Sequence, residues 1–242
     1  MSRRTIDVTP DLLLRAYRAG LFPMAETRHG SRLYWLDPEL RGVLPLDGFH
    51  LPKRLLRTVL SDQYEVSSDQ AFPAVVAGCA AAAPGRQDTW INADIERLFG
   101  VLHRMGHAHS IECRRDGVLV GGLYGVSVGG VFFGESMFSM ARDASKVALV
   151  HLVARMRMGG YALLDTQFVT NHLAQFGADE IPRDIYKAQL AVGIATPAQW
   201  LPAPDPAALK EAIRMLYAQS AARGSVPGAA PPVAAMAGDV PA

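Results

Sequence analysis

The sequence predicts an α+β fold, with one sheet covered by helices. Three observations point there. Segments of period two run from His109 to Phe138 around Asp116-Gly117, a hairpin turn signal. A strongly apolar stretch, Ser145 to Met158, ends at Gly159-Gly160 and reads as a buried helix. The short run Tyr161 to Asp165 then reads as a buried strand.

The elements follow in order. Thr9-Pro10-Asp11 opens an amphipathic helix to about Ala19, with Thr9 as N-cap and Pro10 in the first turn. Leu21-Phe22-Pro23 is extended, residues 33–36 and 41–46 are short strands, and Pro52 to Leu60 is a helix with basic and apolar faces. Residues 72–84 form an Ala-rich helix. Asn92 caps another to Met105, with Ile95, Leu98, Phe99 and Leu102 at helical spacing. Ser110 to Arg114, Val118 to Val126 and Gly130 to Phe138 are strands, and Thr170 to Phe176 is a short helix. Pro206 to Gln219 forms a last helix. The final 22 residues contain 15 Ala, Gly or Pro and read as a disordered tail, too poor in large apolar groups to offset ordering entropy.

Composition narrows the function. Half of the 242 residues are apolar and 19% are charged, which fits a globular protein. The net charge of +1 provides no general attraction for nucleic acid, so any RNA contact must be local. Cys79 and Cys113 have no metal spacing and read as free thiols in a reducing compartment. Asp7, Asp11, Arg15 and Arg18 interrupt the N-terminal region, and no apolar run reaches membrane-spanning length, so a cytoplasmic protein is expected.

Two clusters carry candidate chemistry. Glu135 lies in Phe133-Gly134-Glu135-Ser136-Met137-Phe138, on a buried strand where a carboxylate is costly unless paired or functional. Asp165 ends a strand and Gln167 follows at i+2, a convergent polar pair able to orient or deprotonate an amine. The plain alternatives are a paired edge Glu and a helix-capping Asp. The glycines Gly121, Gly122 and Gly125 precede another strand, not a helix, so they form no phosphate cradle. His103, His107 and His109 read as satisfied or solvent-facing residues and not as a metal site. Lys53, Arg54 and Arg57 share a helical face suited to phosphates or simply to solvent. Trp35 and Trp90 could stack on a nucleobase or belong to the core.

Together, AYRAGLFPM (16–24), YWLDPELRGVLPL (34–46), VGGLYGVSVGGVFFGESMFS (120–139), ASKVALVHL (144–152), LLDTQF (163–168) and NHLAQFGADEIPR (171–183) resemble the leucyl/phenylalanyl-tRNA–protein transferases. The resemblance implies an acetyltransferase-like (GNAT-like) C-terminal domain, residues 63–202, behind a smaller N-terminal α/β domain, residues 1–62. Residues 203–242 would be a helix and tail. It further implies transfer of Leu or Phe, and also Met, from aminoacyl-tRNA to the N-terminal Lys or Arg of an acceptor protein, marking that protein for degradation. The ester is already activated, so no cofactor and no metal are implied, and a monomer is expected. By position, Asp165 and Gln167 match the family's catalytic pair. Glu135, Met137, Leu123, Leu152 and Met158 match the aminoacyl pocket region. Trp35 and Trp90 match aromatics around the terminal adenosine, and Lys53, Arg54 and Arg57 a basic helix for the acceptor stem. Thr166 stands where Cys is frequent, and Met140 where a basic residue is common. The competing readings are an acyl-CoA-dependent N-acyltransferase, which lacks its glycine-rich strand-to-helix loop here, and a noncatalytic RNA-binding module, which leaves Asp165 and Gln167 unexplained.

Overall fold

The computed structural model describes residues 8–28, 30, 32–82 and 88–224. The Thr9 hydroxyl accepts the Leu12 N–H at 3.2 Å and starts α1 (Pro10–Arg18). β1 (Phe22–Ala25) and β2 (Leu33–Leu36) pair as a separate antiparallel ribbon. β3 (Leu40–Leu44) leaves that ribbon for the main sheet and is followed by α2 (Lys53–Leu60), β4 (Glu65–Ser68) and α3 (Phe72–Ala80). The Asn92 side chain accepts the Ile95 N–H at 2.9 Å and caps α4 (Ala93–Arg104). β5 (Ala108–Arg115) and β6 (Val118–Val128) meet at Asp116-Gly117, whose φ angles of 54° and 75° suit a tight, right-twisted hairpin. β7 (Val131–Ser139) completes the meander, α5 (Ala144–Met158) crosses over, and β8 (Leu163–Gln167) lies parallel to β7. α6 (Asn171–Ala174), β9 (Asp179–Pro182), α7 (Arg183–Ala195) and α8 (Pro206–Gly224) follow.

The seven-stranded sheet has the order β4-β5-β6-β7-β8-β3-β9, and each adjacent pair is antiparallel except β7 with β8. α5 is apolar nearly all round because it lies between the sheet and the pair α2 and α8. That core includes Leu51, Phe132, Val150 and Ile213. A second core, with Tyr17, Phe72, Phe99 and Phe133, fills the other face beneath α1, α3, α4 and α7. Helices therefore cover both faces. β7 and β8 pair only over Val131–Phe133 and Leu163–Asp165; beyond those residues their C-terminal ends separate. The site lies in that gap.

Some elements depart from the sequence reading. β4 and β9 are four-residue strands at the two edges of the sheet, too short to show a period. α7 buries only Tyr186, Leu190 and Gly193, too narrow a stripe to announce an amphipathic helix. α3 ends at Ala80, and the rest of the expected Ala-rich helix runs into residues 83–87, outside the described part. α8 extends to Gly224, four residues into the stretch read as tail; residues 225–242 lie outside the described part. Within residues 1–62, β1 and β2 form their own two-stranded sheet, whereas β3 lies in the main sheet between β8 and β9. Among the described residues no helix is long and apolar enough to cross a membrane.

Candidate active site

A cavity of about 440 Å³ opens between the diverging ends of β7 and β8. α5 forms a further wall with Ser145, Leu149 and Leu152, at i, i+4 and i+7 on one helical face. Leu123, Met137, Leu164 and Leu173 make most of the remaining lining apolar. Glu135 from β7 and Gln167 from β8 both line the cavity.

Each polar group is placed by a break in strand regularity. On β7, Gly134 pairs with Gly125 and Ser136 with Tyr124, so Glu135 is the extra residue of a β-bulge. The bulge frees Glu135 from the ladder, and the Tyr17 hydroxyl of α1 donates to its Oε1 at 2.7 Å. Burial pushes the Glu135 carboxyl up to about 8; the charge of Asp165 adds to this, while the Tyr17 hydrogen bond and Arg41 oppose it. On β8, Gln167 has φ 56°, a left-handed conformation uncommon for a side chain of this kind. The Asp165 Oδ1 holds it there by accepting the Gln167 N–H at 2.8 Å. Gly42 on β3 makes room for the turn: a Cβ there would lie 2.6 Å from the Phe168 carbonyl carbon.

Asp165 is placed differently from its neighbour. It is fully buried and does not line the cavity, so the expectation that the two side chains converge on one surface does not hold. The left-handed residue at 167 breaks the strand alternation on which that expectation rested. Arg41 binds both Asp165 oxygens, with Nε–Oδ1 at 2.9 Å and Nη2–Oδ2 at 2.6 Å, and the Tyr186 hydroxyl donates to Oδ2 at 2.6 Å. Arg41 Nη1 also donates to the Gly20 carbonyl at 2.9 Å. Its guanidinium lies between the rings of Phe22 and Tyr186, 4.6 and 4.5 Å from their centroids. Burial works against the Arg41 charge, but the Asp165 bonds outweigh it and raise the group. Burial, reinforced by Asp165, likewise raises Tyr186. With the Gln167 N–H included, both carboxylate oxygens are engaged. Arg41, Tyr186 and Tyr17 were not singled out from sequence. An Arg next to Gly42 and Val43 on an apolar strand was the available signal, since a buried cation demands a partner.

The other expected site residues divide. Glu135, Met137, Leu123, Leu152 and Gln167 line the cavity, whereas Met158 lies six residues past Leu152, off the lining face of α5, and packs against the α5-side core. Trp35 on β2 and Trp90 before α4 are partly buried against the opposite core and lie outside the cavity. Lys53, Arg54 and Arg57 are exposed on α2. Arg54 is bound to Asp143 at 2.6 Å, which fastens α2 to the N-terminal end of the cavity's α5 wall. His103 donates from Nδ1 to the Ala108 carbonyl at 2.8 Å, and His109 pairs with Asp69 at 2.8 Å. Unsignalled apolar lining comes from Leu149, Leu164 and Leu173.

The apolar slot, with a carboxyl and an amide in its lining, can hold an apolar side chain beside polar groups. Residues 43–191 match the leucyl/phenylalanyl-tRNA protein transferase family, and residues 6–39 match that family's N-terminal domain. A leucyl/phenylalanyl-tRNA–protein transferase from Nitrobacter winogradskyi is 54% identical over 91% of this chain and all of its own. Those of Rhodopseudomonas palustris (strain BisB18) and Caulobacter vibrioides (strain NA1000 / CB15N) are 56% and 61% identical, over 87% and 78% of this chain and 92% and 87% of theirs. The chain belongs to the leucyl/phenylalanyl-tRNA protein transferase family.

Proposed function

We propose that the protein is an aminoacyltransferase that moves Leu or Phe, and also Met, from aminoacyl-tRNA to the N-terminal Lys or Arg of acceptor proteins. The product is a peptide bond, and the added residue marks the acceptor for N-end-rule degradation. The observation that carries the reading is the cavity of about 440 Å³, whose Leu and Met lining suits a branched, thioether or aromatic side chain while Glu135 and Gln167 remain at its polar mouth. In this reading Gln167 positions the acceptor amine, and Asp165 acts through Gln167 by fixing its backbone. Lys53, Arg54 and Arg57 lie beside the α5 wall and contact tRNA phosphates, and Trp35 and Trp90 stack on the terminal nucleotide. The separated ends of β7 and β8 support an acetyltransferase-like core. The protein works as a cytoplasmic monomer, and no cofactor enters the reaction because the ester is already activated.

One observation disfavours acyl-CoA as donor. The connection from β7 to α5, Met140–Asp143, contains no glycine, so it lacks the backbone cradle a pyrophosphate needs. A module that only binds RNA leaves the apolar cavity unused. The test mixes labelled Leu-tRNA with a peptide beginning in Arg and, separately, with one beginning in Ala. Transfer to the first and not to the second is expected, and equal labelling or none would refute the proposal.

A further inference from the structure

Outside the cavity, one row of residues runs from it across three strands to the edge of the sheet. Gln167 of β8 pairs with Gly42 of β3, and Gly42 pairs in turn with Glu180 of β9. At the usual spacing of strands, the Gln167 and Glu180 backbones are about 10 Å apart. Alternation along β9 fixes which way its side chains turn. Asp179 and Ile181 share a groove with Gln189 of α7, and Ile181 packs against the core beneath that helix. Glu180 and Pro182 therefore turn to the opposite face, and Leu40, the register partner of Pro182, turns with them. Leu40 is 50% exposed there, and Glu180 and Pro182 are exposed as well. The Phe168 backbone passes over Gly42 in the middle of the row, and Phe168 both lines the cavity and is 44% exposed. Among the described residues nothing bonds to the Glu180 carboxylate. The cations that follow it on α7 are turned to Asp37: Lys187 to its carboxylate at 2.7 Å and Arg183 to its carbonyl at 2.8 Å.

We infer that Glu180 is a specificity-determining residue for the acceptor: its carboxylate pairs with the cationic side chain of the acceptor's first residue, whose hydrocarbon stem lies across Phe168. The polypeptide beyond that residue follows the uncovered sheet face at Leu40 and Pro182. This inference rests on the aminoacyltransferase reading, in which Gln167 holds the acceptor's α-amine.

Reach and charge carry the argument. A Lys or Arg at the N-terminus holds its second charge at the end of a long apolar stem, well away from its amine. Gln167, Phe168 and Glu180 offer an amide, an aromatic surface and a free carboxylate in that order along one row. The aromatic ring suits the stem and the cation, and the carboxylate takes the charge. A short or uncharged first side chain leaves Glu180 without a partner. The position also keeps the two substrates apart. The basic face proposed for tRNA is on α2, which packs on α5 and α8, whereas β9 packs on β3 and α7.

The experiment measures transfer from labelled Leu-tRNA to two peptides that differ only in their first residue, Arg or its uncharged isostere citrulline. Wild type should favour the Arg peptide, and the preference should shrink as salt rises. Glu180→Gln should lower kcat/KM for the Arg peptide by about 5-fold, the upper range for a pair open to water, through KM more than kcat. The citrulline peptide should be unaffected. Glu180→Lys should go further and make the Arg peptide the poorer acceptor of the two. Asp184→Asn, which removes an exposed carboxylate outside the row, should leave the ratio of the two peptides as in wild type. That ratio is read within each variant, so a partly unfolded protein still tests the pair. Equal losses with both peptides, no loss with Arg, or the same change of ratio in Asp184→Asn would overturn the inference while leaving the transferase reading intact. A wild type that labels neither peptide would overturn both.

Discussion

Removing the Arg41 guanidinium isolates the central carboxylate of the site, which makes Arg41→Met the sharpest structural test. Arg41 is 1% exposed and Asp165 is 0% exposed, and the pair is bidentate at 2.6 to 3.2 Å. Deleting one member of a buried ion pair costs about 3–5 kcal/mol, because the remaining charge has no compensation. For a chain of this length that is a fall in Tm of roughly 6–20 °C. Deleting both members with similar apolar volume is often neutral, so Arg41→Met with Asp165→Leu should recover most of the loss. The Tyr186 hydroxyl would then lack its acceptor, at about 1–3 kcal/mol, and adding Tyr186→Phe should remove that residue of instability. The folded triple variant should still transfer poorly, because nothing holds the Gln167 N–H in the left-handed turn. Urea unfolding at fixed pH measures the first effect and single-turnover transfer the second. A single variant that loses less than about 1 kcal/mol, or a triple variant with full transfer, would refute this account of the pair.

Three further outcomes follow from the geometry. Gly42→Ala places a methyl 2.6 Å from the Phe168 carbonyl carbon and 2.9 Å from the Thr166 hydroxyl, so it should cost about 1–3 kcal/mol in urea unfolding and lower transfer more than tRNA binding. Lys53→Ala with Arg57→Ala should lower the slope of log binding constant against log salt by about 0.7–0.9 for each phosphate no longer neutralised, and an unchanged slope would remove α2 from the tRNA surface. Glu135 also gives stability a pH dependence. The folded carboxyl keeps its proton up to about pH 8, whereas the unfolded one releases it near the ordinary value of about 4.3. The native state therefore binds the extra proton across that window, and stability falls as pH rises through it. Urea unfolding at pH 5 and pH 8 should show a smaller decline for Glu135→Gln than for wild type.

The elements legible in the sequence were those whose reasons are local. Thr9 and Asn92 cap their helices as their side chains predict, the Asp116-Gly117 turn takes the backbone its residues favour, and α5 announces burial by being apolar nearly all round. Glu135 and the 165–167 segment stood out because polar groups in apolar strands need a reason. Pairing across long sequence distances was not legible. Arg41 meets Asp165 across 124 positions and Tyr17 meets Glu135 across 118, and no periodicity connects them. β4 and β9 were hidden because an edge strand of four residues is defined by its neighbour and not by its own pattern.

The convergence expected of Asp165 and Gln167 fails because both lips of the cavity depend on departures from regular strand geometry. Strict alternation would put Asp165 and Gln167 on one face and would keep Glu135 in register with β6. The bulge and the left-handed residue undo both, so the carboxylate that alternation favours is sealed against Arg41 while the one it would bury faces the cavity. Each irregularity is held by a contact to the N-terminal region: Tyr17 of α1 to Glu135, and Arg41, tied to Gly20 and stacked on Phe22 of β1, to Asp165. The N-terminal elements therefore act on the site without lining its cavity. A change that loosens α1 from the sheet should disturb both lips together, lowering transfer while the Leu and Met lining remains in place.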